Sequence, residues 1–149
     1  MTPVSDISGI LGWFLLLFTV AWIGTCAMIS LTGGWHRLAQ KFRSTSVPHG
    51  ETFRFASMSL GTGFFPARYR RVLSVTVGAS GIGLSVSFIF RLLHPPLYIP
   101  WTEVENVRPE RAWLSSHIAV YLRGFDKRLL FRGPAGRKIL ETFTALTPS

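Results

Sequence analysis

Three arginines, Arg68, Arg70 and Arg71, close the segment Gly61-Thr62-Gly63-Phe64-Phe65-Pro66-Ala67-Arg68-Tyr69-Arg70-Arg71. Guanidinium forks match phosphate oxygens in charge and geometry, and the neighbouring Phe64 and Phe65 are residues that wedge into a bilayer. The segment therefore reads as an anion or lipid contact, beside the plainer reading of a solvated strand border. Residues suited to covalent or acid–base chemistry are sparse. Glu103 and Glu105 alternate so as to share a strand face, with no nucleophile or base beside them. Ser115-Ser116-His117 supplies a hydroxyl and an imidazole without the context of a nucleophile elbow. Gly78-Ala79-Ser80-Gly81-Ile82-Gly83 reverses the dinucleotide fingerprint and joins two alternating runs, as a hairpin turn would. His94 has no second ligand at metal spacing, and Cys26 is the sole cysteine. The expectation is a protein that is not an enzyme, with no metal site, no cofactor and no intrachain disulfide.

The elements that must position these residues begin with an uncharged run. From Ile7 through Trp35 there is no Asp, Glu, Lys, Arg or His, and every basic residue lies beyond it. At roughly 1.5 Å per residue, Ile10 to Leu31 reaches about 33 Å, enough to cross a hydrocarbon core once. Trp13 and Trp35 stand near its ends, where indoles favour the membrane interface. The start lacks the cationic region of a cleaved signal, and Thr25 before Cys26 fits a lipoprotein signal poorly, so a permanent anchor is expected. The divisions expected are a tail at 1–9, a transmembrane helix at 10–32, a juxtamembrane helix and linker at 33–50, and a domain at 51–149.

The chain carries 16 Lys and Arg against 7 Asp and Glu, a net charge of +9, and only Asp6 precedes the end of the uncharged run. The remainder is strongly cationic and attracts anionic surfaces. Because Arg37, Lys41, Arg43 and Arg54 follow the helix and the N-terminal tail has no cation, the N-terminus is expected outside and the domain in the cytoplasm. After Gly33-Gly34, the apolar residues Trp35, Leu38, Ala39 and Phe42 recur at helical spacing among Arg37, Lys41 and Arg43. That pattern predicts an amphipathic foot, with Trp35, Leu38 and Phe42 in the headgroup layer and the cations on lipid phosphates, each worth about 1 kcal/mol at most. Its alternative is a simple extension of the spanning helix. Small residues four apart, Ser8 and Gly12, Ala21 and Thr25, Cys26 and Ser30, would allow a partner helix to approach.

Beyond the polar stretch Ser44–Gly50, the period changes to two. Phe53 and Phe55 share one predicted strand face; Leu73, Val75 and Val77 form a hairpin with Leu84, Val86, Phe88 and Phe90. His94-Pro95-Pro96 interrupts, because prolines remove ladder donors. Short strands follow near Leu97–Ile99 and Val104–Val107, then a hairpin from His117–Leu122 to Arg128–Phe131. A last helix opens on Gly133-Pro134 and carries the stripe Ile139, Leu140, Phe143 and Leu146.

This order, six or seven strands and a closing helix, resembles pleckstrin-homology-like (PH-like) and GRAM-like domains. The resemblance covers about residues 51–146 and rests on Gly83-Leu84-Ser85, Ile99-Pro100-Trp101-Thr102-Glu103-Val104 and the closing strand–helix unit. The whole chain also resembles small bacterial single-pass membrane proteins, through Gly34-Trp35-His36-Arg37-Leu38-Ala39, Phe90-Arg91 and His94-Pro95-Pro96-Leu97. The first resemblance implies a barrel closed by burying Ile139, Phe143 and Leu146, and places Arg68, Arg70 and Arg71 where lipid-binding members hold headgroup phosphates. The second implies no activity, and a bacterial inner membrane as location.

Arg91-Leu92-Leu93-His94-Pro95-Pro96-Leu97-Tyr98-Ile99-Pro100-Trp101 is too apolar for an ordinary exposed loop. It is expected either to cover a barrel opening or to offer Arg91, Leu92, His94, Pro95, Pro96, Leu97 and Trp101 to a protein partner or the membrane. No nucleic-acid module is recognisable, so nucleic acid is not an expected partner. The expected function is a membrane-anchored binding or scaffolding protein at the cytoplasmic surface, touching anionic headgroups and a membrane-protein partner. The alternatives are a structural accessory subunit of a larger membrane complex and an anionic-lipid sensor.

Overall fold

The computed structural model describes residues 3–61, 66–112 and 115–148. Helix α1 (Pro3–Gly33) is followed directly by α2 (Trp35–Phe42). Seven strands come next: β1 (Gly50–Leu60), β2 (Ala67–Gly78), β3 (Gly81–Val86), β4 (Leu97–Pro100), β5 (Val104–Ala112), β6 (Ser115–Leu122) and β7 (Leu129–Phe131). Helix α3 (Gly133–Leu146) ends the chain.

The stretch Asp6–Gly33 is long and apolar enough to cross a membrane and is almost wholly uncovered by the rest of the protein. It stops because Gly34 adopts φ 92°, a left-handed conformation that glycine enters without a Cβ clash. At Gly33 a Cβ would lie 2.5 Å from the Ala67 Cβ, so only glycine lets α1 end against β2.

All seven strands are antiparallel, in the order β4-β3-β2-β1-β7-β6-β5, and the sheet curls into a half-barrel closed by α3. The two edges are managed differently. Arg43 bridges Leu97 and Ser44 N–H donates to the Pro96 carbonyl, so the chain leaving α2 covers β4. β5 bonds only to β6 and carries Pro109, a residue confined to sheet edges. Leu60, Val75, Ile82, Leu84, Ile99, Leu129 and Phe131 fill the concave face, with Ile139 entering from α3.

Trp35, Leu38, Ala39 and Phe42 are also in this core, and the first two are 0% exposed. The amphipathic pattern of α2 is thus satisfied by protein, which corrects the expected foot: Trp35, Leu38 and Phe42 face the sheet and not the headgroup layer. A sequence period reports that one face is covered, while the covering surface depends on where Gly34 turns the chain.

Three other expectations are revised. Phe88 and Phe90 do not extend β3, which ends at Val86; residues Phe88–Phe90 form a 3₁₀ turn directed toward α1. Glu103 lies in a short 3₁₀ turn before β5 and pairs with Lys41 at 2.8 Å, so it shares no strand face with Glu105. Leu146 remains half exposed, at the outer end of an α3 stripe in which Ile139 is buried and Phe143 partly covered.

Candidate functional site

The β1–β2 pair carries two bulges. Phe53 to Ala56 spans one more residue than its partners Val75 to Leu73, and Tyr69 to Leu73 spans two more than Ala56 to Met58. Phe55 (φ 57°) and Arg71 (φ 52°) take up the irregularity in left-handed conformations, which cost non-glycine residues roughly 1–2 kcal/mol each. Bulges bend a strand and re-aim its side chains. Here Tyr69 still points into the core, while Arg68, Arg70 and Arg71 are exposed on the outer side.

β1 pairs with β7 only over Met58–Leu60, so its first half diverges from β7 and leaves a groove of about 1290 Å³. Arg54 from β1, Arg68, Arg70 and Arg71 from β2, and Arg128 and Arg132 from the ends of β7 all line it. Ser57, Ser115 and His117 add polar groups, and no carboxylate lies among its described lining residues. Glu110 sits behind the groove and holds Arg128 at 2.9 Å and Arg108 at 3.3 Å, while the Tyr121 hydroxyl donates to it. The Tyr121 hydrogen bond foremost, with the Arg128 and Arg108 charges, keeps the Glu110 carboxyl below its ordinary range. Two buried polar atoms of the lining, His117 Nδ1 and Arg128 Nε, have no hydrogen-bond partner among the described residues. A concave, carboxylate-free surface with six guanidinium groups is suited to holding an anion with several oxygens.

Arg68, Arg70 and Arg71 are therefore brought together, with the rest of their expected segment partly unseen: Phe64 and Phe65 lie outside the described residues. Arg54, Arg128, Arg132 and His117 join them without having been anticipated. Nothing local marks them as one site, because Arg54 meets the β2 arginines through the β1–β2 pairing, and Arg128, Arg132 and His117 through the β1–β7 and β6–β7 pairings. Ser115 and His117, noted for a hydroxyl and an imidazole, belong to the same wall.

The residues expected at a membrane interface divide. Trp13 is 67% exposed on α1. On the outer face of α2, Arg37 pairs with Asp126 at 3.3 Å, Lys41 with Glu103, and Arg43 borders a second groove with His36, Gln40 and Arg91. The expected partner loop divides as well. Arg91 and Leu92 are exposed, Pro95 and Pro96 half buried, but His94 and Leu97 are buried and cannot belong to a surface patch. Trp101 is tied down by an indole N–H donated to the Gly78 carbonyl at 2.9 Å and by the Phe143 ring.

His94 lies in an aromatic box beneath the end of α1. Its ring is 5.5 Å from that of Trp35 and 5.7 Å from that of Tyr69, whose hydroxyl is 3.3 Å from Nε2. Desolvation lowers the His94 pKa, opposed by the Phe90 backbone, and burial raises that of Tyr69. Cys26 and Ser30, expected to admit a partner helix, are buried within the chain itself, where the Ser30 hydroxyl donates to the Leu93 carbonyl at 2.9 Å.

No protein-family model matches the chain, and no curated protein matches its sequence. Among solved structures it is similar to the C-terminal domain of an unknown protein from Leishmania infantum, at 7% identity and a TM-score of 0.43. That similarity covers 64% of this chain and 79% of the other. A likeness of this size carries no argument about function.

Proposed function

We propose that this chain is a non-enzymatic, membrane-anchored binding protein whose cationic, PH-like domain works at the cytoplasmic surface of the bacterial inner membrane. The six-arginine groove carries this reading: Arg128 is paired with Glu110, and the other five guanidinium groups, with no carboxylate partner among the described residues, repel one another unless an anion joins them. The position of α1 supports it: the helix ends with Gly33 against Ala67, at the start of the strand that carries Arg68, Arg70 and Arg71. The distribution of Lys and Arg supports the cytoplasmic side.

The groove also favours one alternative, a sensor of anionic lipid, because a lipid phosphate and a soluble phosphate offer it the same oxygens. Full-length protein in nanodiscs of neutral lipid, titrated with pyrophosphate in a calorimeter, tests the shared chemistry. Saturable binding is expected, weakening with salt and lost in Arg70→Ala/Arg71→Ala. No saturable heat would overturn the groove's role. Replacing the neutral lipid by phosphatidylglycerol separates the two sources: competition with pyrophosphate supports the sensor. Recovery in constant proportion with one membrane complex after mild solubilisation would instead support the accessory-subunit reading.

A further inference from the structure

We propose that the apolar turn between β3 and β4, residues 88–93, is a second membrane element that inserts among lipid acyl chains beside α1. The inference rests on reading α1 as a membrane span. Phe88 is 85% exposed, Ile89 66%, Leu92 54% and Leu93 47%, a density of uncovered apolar side chains found nowhere else among the described residues of the domain.

The turn does not face water at the far end of the domain; it lies along the anchor. The Phe90 ring is 5.3 Å from that of Trp22, and Ser30, further toward the end of α1, bonds to the Leu93 carbonyl. The turn thus rises along the helix from the level of Ser30 to that of Trp22. It meets a ridge of rings, Phe14 on Phe18 at 6.5 Å and Phe18 on Trp22 at 6.3 Å, whose first two members are exposed on the outer surface of α1.

Depth follows from the charge pattern. A hydrocarbon core of about 30 Å takes about 20 helical residues. Placed as far outward as Asp6 permits, it begins at Ile7 and ends near residue 26. Trp22 is then still inside it by roughly 6 Å, and any tilt or inward shift takes it deeper. The Phe90 ring stands at that level.

Part of the turn's backbone is satisfied internally. Backbone N–H groups need partners where water is absent. Within the turn, those of Phe90 and Arg91 donate to the Ser87 and Phe88 carbonyls, and at its two ends those of Ser87 and His94 donate to the Val72 and Arg91 carbonyls. Arg91, the one charged residue in the turn, borders the groove shared with His36, Gln40 and Arg43, where its long side chain reaches the headgroup layer.

Full-length wild-type protein in phosphatidylcholine vesicles containing a lipid with a diazirine on its acyl chain tests this, with adducts mapped by mass spectrometry after irradiation. Adducts are expected on Phe88 and Ile89 as well as on α1, and none on the exposed β2–β3 turn at Ala79 and Ser80. Adducts on α1 but not on Phe88 or Ile89 would overturn the insertion and leave the anchor standing. Adducts on neither would overturn both. A benzophenone side chain at position 88 in cell membranes provides the second measurement: lipid capture is expected, and capture of a single polypeptide in its place would assign the turn to a protein partner and overturn the proposal.

Discussion

The Trp35 indole N–H donates to the carbonyl of Pro95 at 3.2 Å, and this hydrogen bond ties α2 to the β3–β4 connection directly beneath the end of α1. The indole is 0% exposed and its ring lies against those of Tyr69 and His94. The junction between helix and domain is therefore part of the hydrophobic core.

Trp35→Ala is expected to cost about 3–5 kcal/mol, the usual loss for a buried aromatic, measured by denaturant titration in detergent. His36→Ala, exposed on the same helix, is expected to change stability by no more than about 0.5 kcal/mol. A fragment beginning at Ser44 loses all four buried side chains of α2 and is expected not to fold, whereas one beginning at Gly34 retains them. Dispersed amide spectra from the shorter fragment would contradict the packing of α2.

Gly33→Ala sets a methyl group against that of Ala67, 2.5 Å from it on the present backbone. The end of α1 is expected to lose its seat on β2, and Ala67→Gly in the same chain to restore it. A double-mutant cycle on thermal stability should show coupling of about 0.5–3 kcal/mol for residues in such direct contact. Additive effects would rule the contact out.

Acid should loosen the box around His94. Desolvation holds its folded pKa below the ordinary 6.5, so the fold favours the neutral ring. Its contribution to stability is complete above pH 6.5 and is lost as the pH falls from there through the lower folded value. His94→Gln is expected to flatten the stability profile over that window. An unchanged slope would show that His94 takes up its proton equally in the folded and unfolded states.

Glu110 acts further down the scale. Its folded pKa lies below 4.5 because Tyr121 donates to it and two arginines flank it. The stabilisation is present above 4.5 and disappears as the pH falls through the depressed value. Glu110→Gln should remove that acid-limb slope and lower stability at neutral pH, leaving the His94 window intact; a mutant profile superimposing on the wild type would exclude the network.

Much of the element order was legible because it rests on local rules. The β2–β3 hairpin announces itself by alternation around Gly78–Gly81, and α3 by Pro134 in its first turn and a four-residue stripe. Neither the bulges nor the groove could be read in this way. Phe55 and Arg71 are unremarkable in sequence, and their left-handed backbone arises from fitting two long strands to a sheet that must curl. Arg54 becomes a neighbour of Arg70 and Arg71 only when β1 pairs with β2, and Arg128 and Arg132 only when β1 pairs with β7.

By itself, the sequence determined an uncharged helix of membrane-spanning length, a strand-rich domain and a cationic charge, since periodicity, length and charge are properties of residues near one another. Tertiary structure decided which surface each apolar face meets. α2 turns inward because Gly34 bends the chain back against β4. The 88–90 turn leaves β3 and sets the Phe90 ring against that of Trp22 on α1. Such choices depend on partners distant in the chain, and a local pattern reports that a face is buried without naming what buries it.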